Sequence, residues 1–304
     1  DFDIRQKSAT ITVEDEVRNE DTDKDVTLEV NVVEMVDPNK DSTDVDADHT
    51  KQPYLRYSFE SDATSVKTAK DTGADSHFMT TVPDDAYDDN PAATSTETVD
   101  VTKIVASAKC EDMKFWSPDS PNLYDVYTVL KDSEGNVLDV QKTTTGFRKV
   151  EYDINDGGLK INDQPVWLTG YAQRSTNEWA VIGVANDWLQ DLDMQWIKES
   201  NSNFIRWMHV APKPSQIRSG DKYGVVSACP AGDKEADVDG RAWDQRVEAM
   251  RDAMIYFRNS PSVIFWETGN NAVTAAHQQE MTDLKNTLDP NGERFCGCRT
   301  ISST

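Results

Sequence analysis

Cysteine is scarce in this chain. Cys110, Cys229, Cys296 and Cys298 are the only four in 304 residues. They are few and far apart, which excludes a disulfide scaffold. The Cys296-Gly297-Cys298 pair is too closely spaced to define a zinc site without other ligands. Free, mostly buried thiols are expected, with no metal and no cofactor. Basic residues are also in short supply, 31 against 55 acidic, for a net charge of −24. Phosphate needs cationic neutralisation, so nucleic acid is disfavoured as a partner, and an anionic membrane surface likewise. No run approaches the roughly 20 apolar residues that cross a bilayer. The opening Asp1-Phe2-Asp3 carries no apolar signal-peptide core, although a cleaved leader would leave no trace in it.

What is present is enough apolar residue, 37%, to build real cores, in a length that fits two domains. The acid is dispersed, with dense spots such as Asp84-Asp85-Ala86-Tyr87-Asp88-Asp89. Dispersed carboxylates fit adaptation to high salt, and they fit an ordinary acidic protein, secreted or cytosolic. The aspartate cluster offers oxygen ligands of the kind calcium takes, but lacks EF-hand spacing and reads first as a solvated loop.

Two halves differ in rhythm. Residues 1–150 alternate at period two in Ala9–Val13, Val26–Val32, Pro53–Phe59, Val101–Ala108, Leu123–Leu130 and Val137–Thr145, so each run has one buried and one wet face. Ser133-Glu134-Gly135-Asn136 reads as a tight hairpin turn. An antiparallel β-sandwich of immunoglobulin type is expected, with Ser61–Asp100 a long surface excursion. Residues 151–304 mix short apolar runs (Pro165–Leu168, Phe204–Met208, Gly224–Ala228, Ser262–Trp266) with helical stripes. The first stripe is Trp188, Leu189, Leu192 and Trp196, capped by Asn186; the second is Trp243, Val247, Met250, Met254 and Phe257; the third is His277, Met281, Leu284 and Leu288. Strand alternating with helix implies parallel pairing. Four such strands fit half of a (β/α)8 TIM barrel; a doubly wound open sheet is the alternative. Gly170-Tyr171-Ala172-Gln173-Arg174 is not the glycine-rich phosphate loop that nucleotide work would need.

"FWSPDSPNLYDVYTVL" (Phe115–Leu130), "GFRKVE" (Gly146–Glu151), "LKINDQPVWLTGYAQR" (Leu159–Arg174), "NFIRWMH" (Asn203–His209), "DKYGVV" (Asp221–Val226) and "RNSPSVIFWETGNN" (Arg258–Asn271) together resemble glycoside hydrolase family 2, the β-galactosidase and β-glucuronidase family. Each piece is weak; the ordered set is specific. The resemblance implies a middle immunoglobulin-like domain followed by the first half of the catalytic barrel. It implies a β-linked carbohydrate substrate and a retaining mechanism, with the nucleophilic glutamate expected beyond Thr304. An open half barrel then calls for completion, by further polypeptide or within a homo-oligomer.

Retaining hydrolysis needs two carboxyl groups. In the family the acid follows Gly-Asn at the end of the fourth strand. Here Gly269-Asn270 matches and Asn271 takes the acid's place. An amide donates a hydrogen bond but delivers no proton. Asn270 matches the residue that binds the sugar's 2-hydroxyl. Glu267 lies about 13 Å back along an extended strand, and retaining carboxyls sit about 5–5.5 Å apart. Glu267 is therefore expected to pair with a cation such as Arg206 inside the barrel, with direct catalysis the lesser reading. Arg206 and His209 match the family's second strand, whose Arg and His line the sugar pocket. Arg174, after the first strand, resembles a family arginine. Glu178, Glu235 and Asp237 are alternative proton sources, or solvated surface acids. Cys229-Pro230 stands where the family has Asp-Glu; Cys229 is a packed thiol or, with a base nearby, a nucleophile. Trp179 and Trp207 are core residues or sugar-stacking surfaces. A non-catalytic carbohydrate-binding relative is the competing function, and Asn271 favours it.

Overall fold

The computed structural model describes residues 2–35, 54–68, 101–174, 186–232 and 237–302. The Asp84–Asp89 cluster, Glu178, Trp179 and Glu235 lie outside the described residues. The chain divides into two compact units. One comprises Ser8–Met113 and Asp125–Thr143; the other gathers Phe2–Lys7, Lys114–Tyr124 and Thr144–Thr304.

In the first unit, alternating runs become two-faced strands. Ser8–Val17 pairs antiparallel with Thr102–Cys110, from Ala9 opposite Cys110 to Val17 opposite Thr102. A second sheet is built on Lys24–Glu34, which pairs antiparallel with Tyr54–Glu60 and Thr64–Val66. That sheet extends through Tyr124–Asp132 to Val137–Thr145. The alternation in Lys24–Glu34 puts Val26, Leu28, Val30 and Val32 inside, and each such side chain contributes about 1.5–3 kcal/mol of burial. The expected hairpin turn is present: Gly135 takes φ +84° and its N–H donates to Asp132 O at 3.0 Å.

The second unit carries a parallel sheet of five strands in sequential order: Gly170–Arg174, Phe204–Met208, Val226–Pro230, Val263–Thr274 and Phe295–Ser302. Helices α1 (Asp187–Glu199), α2 (Pro214–Tyr223), α3 (Arg241–Phe257) and α4 (Ala275–Leu288) connect them. This is a partial TIM barrel. Alternation along the strands separates two cores. Ile205, Trp207, Cys229, Val263 and Trp266 pack with Met194, Ile197, Ile217, Met250, Met254, Phe257 and Met281. On the other face Val226 and Ile264 are joined by Phe204, Phe265 and Phe295, together with Trp116, Val150 and Ile161.

Several expectations need correction. The sheet has five strands, not four; Phe295–Ser302 was hidden because Cys-Gly-Cys-Arg-Thr is not an apolar run. The first barrel strand is Gly170–Arg174, so Arg174 ends it, whereas Trp167 in the preceding apolar run is 86% exposed. The fourth strand continues past Trp266 to Thr274. Helix α1 buries Leu189, Gln190, Met194 and Ile197, while Trp188 and Trp196 are exposed. Apolar residues lie all round this helix, so hydropathy alone does not choose its inward face. Asn186 stands at its N-cap without a side-chain cap bond.

Helix α2 was not expected, because "PSQIRSGDKY" is polar. Its ends explain it. Pro214 supplies the first-turn geometry, and Gln216 Oε1 accepts from Lys213 N at 2.8 Å. Gly224 closes it at φ +73°, where a Cβ would fall 2.2 Å from Pro118 O.

The amino ends of the barrel strands are locked by buried polar groups. Arg148 donates to the carbonyls of Pro261 (2.6 Å), Val263 (2.8 Å) and Gly292 (3.3 Å). Arg294 donates to Val263 O (2.8 Å), Ser260 O (2.7 Å) and Asp289 Oδ1 (2.9 Å). Trp266 Nε1 donates to Asp289 Oδ2 at 2.9 Å, and Ser262 N to Asp221 Oδ1 at 2.9 Å.

Candidate active site

Register places the candidate residues in layers. Ala172, Arg206, Ala228, Phe265 and Phe295 share one layer; nearer the carboxyl ends Arg174 lies level with Met208, and Pro230 with Glu267 and Gly297. Neighbours in a parallel layer point to the same face. Arg206 is set between Ala172 and Ala228, small residues that leave its guanidinium room to reach across to the fourth strand. There Arg206 Nε donates to Glu267 Oε2 at 2.8 Å and Nη2 donates to Glu267 Oε1. Arg206 Nη2 also donates to Asn270 Oδ1 at 2.8 Å.

The pairing anticipated for Glu267 is therefore present. Its side chain is only 7% exposed, and a buried carboxylate without a partner would be costly. Attraction to Glu267 raises the Arg206 pKa above its ordinary value, against a smaller opposing effect of burial.

Asn270 joins this pair because the fourth strand is irregular. Its register against the fifth strand shifts between Glu267 and Gly269 and again between Gly269 and Ala272. The bulged segment re-aims side chains at the sheet's carboxyl end. Asn271 lies inside it, half-buried, within the strand. With Asn270 Oδ1 accepting from Arg206, Nδ2 is the donor end of its amide.

The other candidates separate into distinct environments. His209 follows the end of the second strand and is half-buried; its Nδ1 is buried without a hydrogen-bond partner. Arg174 ends the exposed first strand, level with Met208. Asp237, a candidate proton source, is engaged elsewhere: it accepts from Thr274 N at 2.8 Å and pairs with His277 Nδ1 at 2.9 Å. Burial pushes its pKa up, but the hydrogen bonds from Thr274 and His277 outweigh this and hold it below the usual carboxylate range, which disfavours a role as acid. His277 stacks on Trp243 at 3.8 Å, and Trp243 Nε1 donates to Glu280 at 2.7 Å. This cluster pins the end of the strand that carries Asn270 and Asn271; residue type and spacing gave no signal of it.

Cys229 is fully buried, and burial followed by the Glu267 charge raises its thiol pKa well above the ordinary value. It is a packing residue, not an activated nucleophile. Trp207 is 1% exposed and belongs to the core. Among the described residues no group of three or more His, Cys, Asp or Glu is placed to hold a metal ion.

Arg206 and Glu267 also line a cavity of about 690 Å³ on the inner face of the sheet, within the range of small-ligand sites. Phe204, Ala228, Phe265 and Phe295 form its apolar floor, and Arg299 stands on its wall.

Strand-helix repeats with polar groups gathered toward the carboxyl ends define a TIM-barrel protein whose cluster occupies the face where such barrels carry their sites. The family models "Glycosyl hydrolases family 2" and "Glycosyl hydrolases family 2, TIM barrel domain" match residues 1–148 and 152–294. The chain belongs to glycosyl hydrolase family 2. It is 36% identical over 198 residues to a β-glucuronidase of Formosa agariphila, covering 65% of this chain and 20% of that protein. It is 28% identical over 188 residues to a β-galactosidase of Photobacterium profundum, covering 58% and 18%. Among solved structures, a β-glucuronidase from glycoside hydrolase family 2 is similar with a TM-score of 0.76 and 28% identity, over 97% of this chain and 26% of that one. The chain spans about a fifth of the length of these curated relatives.

Proposed function

We propose that this chain is part of a retaining glycoside hydrolase of β-galactosidase type, acting on β-linked sugars. The observation that carries the reading is the Arg206–Glu267–Asn270 cluster toward the carboxyl ends of the barrel strands. In this reading Asn270 presents its amide to a sugar hydroxyl, and Arg206, His209 and Arg174 line the pocket. Asn271 occupies the position of the general acid/base. Glu267 orients Arg206 and takes no part in proton transfer, because the same guanidinium engages both of its oxygens.

A domain division at residues 150/151 belongs to the same proposal, with an immunoglobulin-like β-domain preceding the barrel. So does completion of the barrel by further polypeptide, whether from the same protein or a companion subunit. The exposure of Trp167, Trp188 and Trp196 supports it, since large apolar side chains on a surface mark places that something else covers. Among the described residues no helix is long and apolar enough to cross a membrane.

A specific observation favours a second reading, a carbohydrate-binding relative without turnover. Asn271 cannot deliver a proton, and Glu267 is already committed to Arg206. Aryl β-glycosides with good leaving groups separate the two, because such substrates need little acid assistance. Release of aglycone supports a hydrolase, and Asn271→Glu should then raise the rate on poor leaving groups by about 10²–10⁴-fold, the usual worth of general acid catalysis. Binding of methyl β-glycosides without any aglycone release supports the binding protein. Neither binding nor release would sink both readings.

A further inference from the structure

The third strand of the barrel sheet stops before the fourth does. Its last residue, Pro230, lies level with Glu267, and Ala231 N still donates to Glu267 O at 2.9 Å. The fourth strand runs on to Thr274. There the fifth strand still accompanies it, with Ala272, Val273 and Thr274 level with Thr300, Ile301 and Ser302. Where the third strand no longer supplies acceptors, a side chain does: Asp237, in the loop between that strand and α3. Asp237 Oδ2 accepts from Thr274 N at 2.8 Å, while Oδ1 pairs with His277 Nδ1 at 2.9 Å and accepts from Val238 N at 3.1 Å. Bonds from backbone N–H to a carboxylate are about twice as strong as neutral ones.

Between Glu267 and Thr274 the strand is held mainly by its ends. Its pairing with the fifth strand is interrupted on both sides of Gly269, so Asn270 and Asn271 have no residue opposite them there. Arg206 anchors the near end through Asn270 Oδ1. Asp237 anchors the far end, where Thr274 Oγ1 also accepts from His277 N at 3.3 Å as the cap of α4. That anchor has a stiff backing. His277 stacks on Trp243 at 3.8 Å with the ring planes 10° apart, and Trp243 Nε1 is itself held by Glu280. The Asn271 side chain makes no hydrogen bond among the described residues. Its direction is therefore set by the backbone, and the backbone is set by the two anchors.

We propose that Asp237 is a positioning residue for position 271: by fixing Thr274 and His277 it sets the direction in which that side chain meets the glycosidic oxygen. The proposal rests on the reading of Asn271 as the acid/base position and adds to it the residue that aims it. Asp237 acts from behind the strand, with both oxygens spent on the chain itself. A misplacement of about 1 Å that originates away from the chemistry costs about 10²-fold in rate.

The test uses the complete protein that contains this chain, in an Asn271→Glu background, so that position 271 holds a proton to give. The probes are 2,4-dinitrophenyl and methyl glycosides of β-D-galactose, β-D-glucose and β-D-glucuronic acid, the sugar with the fastest release being carried forward. The compared quantity is kcat/KM, which reports the steps up to aglycone release. Dinitrophenolate leaves without acid help; methoxide does not. Asp237→Ala should lower kcat/KM on the methyl glycoside by about 10–10²-fold, and on the dinitrophenyl glycoside by less than about twofold. Asp237→Asn keeps an acceptor for Thr274 N and should retain most of the methyl-glycoside rate. His277→Phe keeps the ring on Trp243 but loses the Nδ1 contact, and carries the comparison if Asp237→Ala melts early. Equal losses on both leaving groups would mark a merely structural role, and no loss on either would mark none; each overturns the assignment of Asp237 while leaving the glycosidase reading standing. If Asn271→Glu brings no gain on the methyl glycoside, or no sugar is released at all, the acid/base or the glycosidase reading itself fails and this inference falls with it.

Discussion

At the amino ends of the barrel strands, Arg148 and Arg294 lie buried with Asp289 and Asp221 close by. Toward the carboxyl ends, Arg206 is half-buried against Glu267 and Asn270. The residue types are the same, but their partners differ. Arg148 and Arg294 spend most of their donors on backbone carbonyls of the segments entering the fourth and fifth strands. Burial, together with the Arg294 charge, pulls the Arg148 pKa below its ordinary value, and it still stays protonated at neutral pH. Arg206 spends its donors on the side chains of Glu267 and Asn270 and itself lines an open cavity. One end converts cationic donors into fixed backbone geometry; the other converts them into directed side-chain polarity. Conserving charge and hydrogen bonds at both ends says nothing by itself about function: what the partners leave unsatisfied decides it.

The comparison can be broken most severely at the amino end. Arg294→Met would leave the buried Asp289 carboxylate without its counter-charge and the Ser260 carbonyl without its Arg294 donor, and should cost about 3–5 kcal/mol of unfolding free energy in urea titrations. Glu267→Gln keeps an acceptor for Arg206 but removes the charge that balances it, so a smaller loss, about 2 kcal/mol, is expected by the same measurement. A loss at Glu267 as large as that at Arg294 would erase the proposed contrast.

Asp221 sharpens the comparison through pH. Burial raises its pKa from 3.8 to about 6. Because the folded chain holds this proton more tightly than the unfolded chain, its contribution is stabilising below about pH 3.8 and is lost as pH rises through about 6. Relative to Asp221→Asn, the parent should therefore lose on the order of 2–3 kcal/mol between pH 4 and pH 7. A pH-independent difference between the two proteins would contradict this account. The smallest effect is expected at the open end: Arg299→Gln should change stability by no more than about 0.5 kcal/mol, as for other exposed substitutions.

Much of this architecture is legible in the sequence because it is periodic. Phe204–Met208 has the bounds read from its apolar run, and the stripe through Trp243, Met250, Met254 and Phe257 faces the core of α3. The Arg206–Glu267 partnership also follows from chemistry, since an interior carboxylate calls for a cation. Where periodicity is weak or ambiguous, reading fails. Helix α1 offers tryptophans on one side, yet buries Gln190 and Met194 on another, because neighbouring elements choose the face. The fifth strand and α2 contain too few apolar residues to announce themselves. Nothing in the local sequence marks Arg294 as buried; it is buried where the Ser260–Val263 segment and Asp289 converge on it.

The sequence by itself determined the family, the alternation of strand and helix, and the residue types available for chemistry, since these depend on local order and near-neighbour spacing. Only the tertiary structure decided which of those residues meet. Arg206 and Glu267 are 61 positions apart and touch because parallel strands place them on nearby levels with the small Ala228 on the strand between. Arg299 faces the same cavity because the fifth strand closes that side. Such proximity is set by strand register and bulges, which arise from packing the whole sheet against its helices and leave no periodic mark in the chain.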